Sequence, residues 1–331
     1  MARLPPLQSA LLRAAGTLTS RRGPGSLLVL IYHRVLPTRD PLLPDEPDAA
    51  DFSAQMDLIG RNFRVLPLRE AVKRLRSGDL PARSVCITFD DGYANNCEVA
   101  LPILRSRGIP ATVFVAPGFL SGGRMFNDTV IEAVRRAPAE LDLTREGFGR
   151  HALPDDAARV RAIAAILPVL KYLPQAERLR RADAVAERVG ASLPDDLMMT
   201  EDQVRRLHRK GIEIGAHTIN HPILANADED MARREIVESK ARLEQMIGAE
   251  VSSFAYPNGS PTRDYTTRDV VLAREAGFDV AVSTAWGAAT PERDPLQIPR
   301  ISPWDRTALR FGLRMVRAYA ERTAALALCQ G

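Results

Sequence analysis

The feature that most constrains this chain is a repeated unit, a helical pattern closed by glycine and followed by a short strand that is apolar on both faces. NNCEVALPILRSRG leads into ATVFVA (111–116), EDQVRRLHRKG into IEIGAH (212–217), and TTRDVVLAREAG into FDVAVST (278–284). Further runs of the same kind are LLVLIYH (27–33), SVCITF (84–89), VSSFAY (251–256) and LQIPRI (296–301). Near-continuous apolar strands joined by crossover helices belong to a parallel sheet covered on both sides.

The sequence therefore predicts an α/β fold. Seven or so strands are available, no GxGxxG or GxxxxGK[ST] follows any of them, and the unusual polar residues cluster just past strand ends. These points favour a distorted (β/α)7-type barrel of parallel strands over an open doubly wound sheet. The stretch 122–200 breaks the repeat and reads as a helical insertion. The expected organisation is a basic leader over 1–26, a barrel over 27–304 carrying that insertion, and a C-terminal amphipathic helix over 305–331.

At 331 residues, 45% hydrophobic and 26% charged, the composition is ordinary for a globular chain and excludes disordered, fibrous and multi-span membrane classes. The net charge of +4 comes from basic residues, all but four of them arginine, dispersed along the chain. No nucleic-acid stripe forms, and no nucleic-acid partner is expected. Cys86, Cys97 and Cys329 show no CxxC spacing, so buried thiols are expected in place of disulfides or a thiolate metal site.

No apolar run reaches the roughly 18 residues of a spanning helix, and no signal peptide is read in MARLPPLQSALLRAAGTLTSRRG. A cytoplasmic location is the expectation. Arg3, Arg13, Arg21 and Arg22 precede the first acidic residue, Asp40, and Arg306, Arg310 and Arg314 form an i, i+4 row near the end. Two readings stay open for these basic termini: solvated segments packed on the barrel, or peripheral contact with an anionic membrane.

Chemistry concentrates in two motifs. In ITFDDGY, Asp90 and Asp91 leave a strand end with Gly92 allowing a tight turn; in IEIGAHTINHP, His217 leaves another strand end and Pro222 keeps His221 out of a helix. Two imidazoles and one carboxylate make a facial triad suited to Zn2+, or to Co2+, Ni2+ or Fe2+, holding a water for hydrolysis. The other aspartate, held off the metal, suits a general base.

TFDDG, HTxxHP and FAYPNG, in that order, resemble successive motifs of the polysaccharide deacetylases, carbohydrate esterase family 4, over roughly residues 27–121 and 200–303. The resemblance implies Asp90 as base, with Asp91, His217 and His221 as ligands of a divalent metal, most naturally Zn2+. It implies an oxyanion-binding backbone amide at Asn258, in a stretch with Tyr256 and Pro257 that lines the substrate groove. Many members carry an arginine in that third motif; here it is absent, and Arg300, in IPRIS, is the replacement expected to orient Asp90. No histidine follows His221, whereas many members place a general acid near the C-terminus. His33, in LVLIYHRV, is similar to the Tyr-His of the first strand in the poly-N-acetylglucosamine deacetylase group and takes that role by resemblance.

The expected activity is removal of N-acetyl groups from an amino-sugar polysaccharide or oligosaccharide. The alternatives are deacetylation or deformylation of a lipid-linked amino sugar at the membrane, and a catalytically silent carbohydrate-binding protein. Tyr93, Tyr256, Trp286 and Trp304 are read as aromatics able to stack on a sugar or to pack in the core.

Overall fold

A computed structural model describes residues 4–21, 25–302, 305–321 and 326. Its strands are β1 (Leu28–Tyr32), β2 (Arg64–Val65), β3 (Ser84–Phe89), β4 (Thr112–Val115), β5 (Glu140–Leu143), β6 (Gly149–Ala152), β7 (Glu213–Ala216), β8 (Ser253–Ala255) and β9 (Val280–Val282). The helices are α1 (Pro6–Ser20), α2 (Ala49–Asn62), α3 (Leu68–Ser77), α4 (Leu101–Arg105), α5 (Phe126–Arg136), α6 (Asp156–Lys171), α7 (Gln175–Val189), α8 (Glu201–Arg209), α9 (Glu229–Ile247), α10 (Thr267–Glu275) and α11 (Ala308–Ala318). The chain divides into two compact units, one formed by residues 1–38, 46–118 and 199–331, the other by 39–45 and 119–198.

The first unit is a curled parallel sheet in the order β1-β3-β4-β7-β8-β9, with β2 pairing beside β3. All five residues of β1 and all six of β3 are buried, as their unbroken apolar runs require. LQIPRI, expected as a seventh strand, does not form one. Pro299 has no N–H to give a ladder. Ile298 instead bridges β9 at Val282 and Ile301 bridges β1 at Leu30, so this short segment spans the two edges and closes the barrel.

The outer helices start and stop where local chemistry dictates. Thr200 and Gln203 form a capping box on α8, and Asp228 caps α9 through the Met231 N–H. The predicted helix NNCEVALPILRSRG is interrupted. Pro102 has no N–H for the carbonyl of Glu98, and the first turn widens into a π segment, Asn96–Ala100, before α4 begins.

The second unit is not wholly helical. ELDL alternates between exposed and buried residues, and β5 pairs antiparallel with β6 in a hairpin. Val130, Val134, Leu143, Ile166, Leu170 and Val185 form its apolar core, so helices and hairpin share one interior. Asp40 takes Arg135 through both carboxylate oxygens, tying the 39–45 segment to α5.

Cys86 and Cys97 are buried free thiols; Cys329 lies outside the described residues, as do Arg3, Arg22 and Trp304.

Candidate active site

The polar residues singled out in the sequence gather at the C-terminal ends of the barrel strands. His33 follows β1, Asp90 and Asp91 follow β3, His217 follows β7, and Asn258 lies three residues past β8. The Asp90 N–H donates to the Tyr32 carbonyl at 2.9 Å, extending the β1–β3 ladder by one residue. Asp91 then turns with φ 75°, and Gly92 with φ 91°. Only a strained, over-determined turn holds a non-glycine residue there.

Asp91 meets both imidazoles. Its Oδ1 lies 3.4 Å from His217 Nε2 and 3.5 Å from His221 Nε2, while Asp90 Oδ2 is 4.0 Å from His217 Nε2. Ligand atoms of Asp91, His217 and His221 lie within 4.8 Å of one another. Two donors on a tetrahedral ion with bonds of about 2.0–2.1 Å stand about 3.3–3.4 Å apart, so these spacings fit a divalent metal without rearrangement. The tautomer fits as well. His217 Nδ1 donates to the Ala255 carbonyl at 2.7 Å, which aims Nε2, the nitrogen a metal would take in place of a proton, toward Asp91.

Asp90 has a different partner. Arg300 Nη1 and Nη2 donate to its Oδ1 and Oδ2, each at 2.7 Å, and Arg300 is anchored in turn by Nε to the Ser283 carbonyl and Nη1 to Thr88 Oγ1. Arg300 is 1% exposed and Asp90 3%. Burial by itself would raise the pKa of Asp90, but the Arg300 charge, with His217 behind it, outweighs burial and holds the carboxyl below its ordinary value. The same contest is settled the same way at Asp91, where the His217 hydrogen bond and the charges of His221 and His33 prevail over burial. Both carboxylates are ionised at neutral pH.

The loop bearing the two histidines is held from several sides. Thr218 and His221 have φ 61° and 52°. Thr218 Oγ1 accepts the His221 N–H, and the Gly118 N–H donates to Ile219 O at 2.9 Å. A Cβ on Gly118 would stand 2.5 Å from that oxygen, so only glycine fits. Glu235, on α9 and 8% exposed, accepts the Ile219 N–H, the Asn220 N–H and Asn220 Nδ2, all at 2.8 Å. Sequence reasoning missed Glu235. Its only mark is its place on a buried stripe with Ala232, Ile236 and Ser239, where a carboxylate needs a partner.

His33 is half-buried; its carbonyl accepts Asn96 Nδ2 from the π segment, and its charge acts on Asp90 and Asp91. Glu46, also missed, accepts the Arg34 N–H at 3.2 Å and feels the same imidazole. Burial raises its pKa, the strongest influence on it, against the lowering effect of His33.

Asn258 has φ 58° and its carbonyl accepts Thr284 Oγ1; among the described residues no acceptor takes its N–H. The neighbours differ from the sequence reading. The Tyr256 side chain does not line a groove: it is fully buried, stacked on Tyr265 at 3.9 Å, with its hydroxyl donating to Leu296 O. Pro257 is buried and Tyr93 is 2% exposed, so these too are interior residues. Trp286 donates Nε1 to Glu321. The ring of Tyr265 and the acceptor at Leu296 give both the face and the hydroxyl of Tyr256 a partner in the core.

The sequence matches the polysaccharide deacetylase family over residues 77–142 and 176–281, more than half of the chain. The chain belongs to that family. As a polysaccharide deacetylase it is a hydrolase acting on amide bonds, and the matched segments contain Asp90, Asp91, His217, His221 and Asn258. It is 21% identical over 280 residues to YxkH of Bacillus subtilis (strain 168), covering 84% of this chain and 71% of the relative. Among solved structures it is similar to the deacetylase PplD of Streptococcus pyogenes, with a TM-score of 0.60 at 19% identity over 89% of this chain and 99% of the other. It is also similar to IcaB of Ammonifex degensii, with a TM-score of 0.57 at 19% identity over 89% and 97%. The BpsB deacetylase domain of Bordetella bronchiseptica gives 0.52 at 19% over 85% and 96%. These likenesses support the barrel architecture.

Proposed function

We propose that this polysaccharide deacetylase removes N-acetyl groups from an amino-sugar polymer or oligomer in a reaction that needs a divalent metal. The observation that carries this reading is the juxtaposition of two buried carboxylates with separate partners, one facing two imidazoles and one clamped by an arginine. Asp91, His217 and His221 are the ligands we assign, with Zn2+ as the ion that best suits a nitrogen-rich set. When bound, such an ion lowers the pKa of water and polarises an amide carbonyl.

The chain's own groups do the rest. Asp90 takes the proton from the attacking water. Its clamp by Arg300 uses two of about four lone-pair sites, so the carboxylate is fixed in direction and still able to accept. The Asn258 N–H donates to the oxygen that gains charge as the carbonyl carbon becomes tetrahedral. His33 gives a proton to the departing amine nitrogen, so the products are acetate and a free amino sugar.

Acetate release from an N-acetylated glucosamine oligomer tests the reading. Turnover by the wild type, its loss with chelator and its loss in Asp90→Asn are expected. Wild-type protein loaded with metal that leaves every such saccharide intact would overturn it.

A further inference from the structure

We propose that α1 and the neighbouring face of α11 form a surface that docks on an anionic lipid bilayer. Leu7, Leu11 and Leu18 are 73, 61 and 72% exposed. At about 100° per residue they fall within about 40° of arc, with exposed Ala14 about 20° outside it. These residues make one stripe. α1 contains no acidic residue, and exposed Arg21, just past its C-terminal end, lies next to the stripe.

The opposite face of α1 fixes it to the body. Leu12, Gly16 and Ser20 are buried, the Ser20 hydroxyl accepts the Arg83 N–H, and the positions of Gly16 and Gly312 lie against Val316 and Leu12. A Cβ on Gly312 would come within 2.7 Å of Leu12, which sets how closely the helices approach. Residue 12 beside 312 and 16 beside 316 means that they run side by side in the same direction. The outward stripe of α1 is therefore not apolar surface waiting for α11; that contact is already made through other residues.

α11 adds to the surface with the same chemistry. Leu309 and Leu313 are 43 and 52% exposed, and exposed Arg306, Arg310 and Arg317 project next to them. α11 has no acidic residue within it, and the flanking Asp305 and Glu321 pair with Arg314 and Arg317. Leu313, Arg310, Arg314 and Arg317 line a groove with Trp286 and Glu321, combining an indole and guanidinium groups of the kind that settle at headgroup depth.

Single exposed leucines are ordinary, but five on two adjoining helices, neither of which contains an acidic residue, make an exposed amphipathic face. Among the described residues no helix is long and apolar enough to cross a membrane, so the proposed contact is one of a face lying on the surface. Charge decides between a bilayer and a second copy. In a two-fold dimer the patch would meet itself and set arginine row against arginine row. Anionic headgroups attract the exposed arginines of the C-terminal helix, at a gain of about fivefold in affinity per arginine near the surface.

The test is sedimentation of the full chain with vesicles of phosphatidylcholine alone or mixed with phosphatidylglycerol. Binding to the mixed vesicles at low salt, at least tenfold weaker binding to phosphatidylcholine, and release by salt are expected. The variant Leu7→Ser/Leu11→Ser/Leu18→Ser should lose binding while keeping its circular dichroism. Arg310→Glu/Arg317→Glu should lose it more than tenfold without disturbing the α1 stripe. Wild-type protein that stays in the supernatant with both vesicles, serine variants that bind undiminished, or sedimentation velocity showing a wild-type dimer that becomes monomeric in the serine variant would each overturn the proposal.

Discussion

Arg300 grips both oxygens of Asp90 across 210 positions of sequence, with both groups almost wholly removed from solvent. Breaking such a pair from one side leaves an uncompensated buried charge, which costs about 3–5 kcal/mol. Arg300→Met should lower unfolding free energy by that amount in denaturant titration, and adding Asp90→Asn should recover part of it. Equal stability of Arg300→Met and wild type would show that Asp90 finds other compensation.

Asp90→Asn separates base from ligand. It should reduce kcat by about 10²–10⁴, because an amide cannot take a proton from water. Metal content by atomic absorption should stay near that of the wild type, since Asp91, His217 and His221 form the cluster without Asp90.

Removing the metal should act on stability as well as rate. Exhaustive chelation is expected to abolish acetate release and to lower Tm, with Zn2+ or Co2+ restoring both. A ligand at 100 times its Kd contributes about 2.7 kcal/mol to the folded state. His221→Ala should flatten the Tm response to added metal.

Glu235 acts at a distance through the loop it holds. In Glu235→Gln an amide N–H₂ replaces one acceptor facing three N–H donors, so the strained Thr218–His221 turn loses part of its support. Metal affinity, measured by chelator competition, should fall about 10–100-fold, and the visible spectrum of the Co2+ form should change.

A pH effect follows from Glu213 at the start of β7. Burial raises its pKa above 4.5, against hydrogen bonds from Ser253 and Thr112. The native state thus holds this proton more tightly than the unfolded chain. Its contribution to stability is fully present below pH 4.5 and is lost as pH rises through the elevated native value. Glu213→Gln, which stays neutral, should melt above the wild type at pH 7 and show no such advantage near pH 4.

The parallel strands and the DDG and HTxxHP motifs were legible because each is local: an apolar run, a paired carboxylate at a strand end, a proline after histidine. Arg300 stood out by its place past a strand run, but its geometry depends on Thr88, Ser283 and Asp90, which no short window contains. Glu235 and Glu46 were invisible for the same reason, as each bonds to backbone N–H groups of loops whose shape only the tertiary fold defines. Pattern also failed where one atom decides: Pro299 removed a strand, Pro102 opened a helical turn, and the ring of Tyr265 drew Tyr256 inward.

The segment between Ile298 and Ile301 serves as a keystone. It joins β9 to β1 through isolated bridges, and the side chain it sends inward is the arginine that orients Asp90. Loosening this four-residue staple would free the arginine and part the two sheet edges together, so the same short segment serves both the architecture and the aim of the carboxylate.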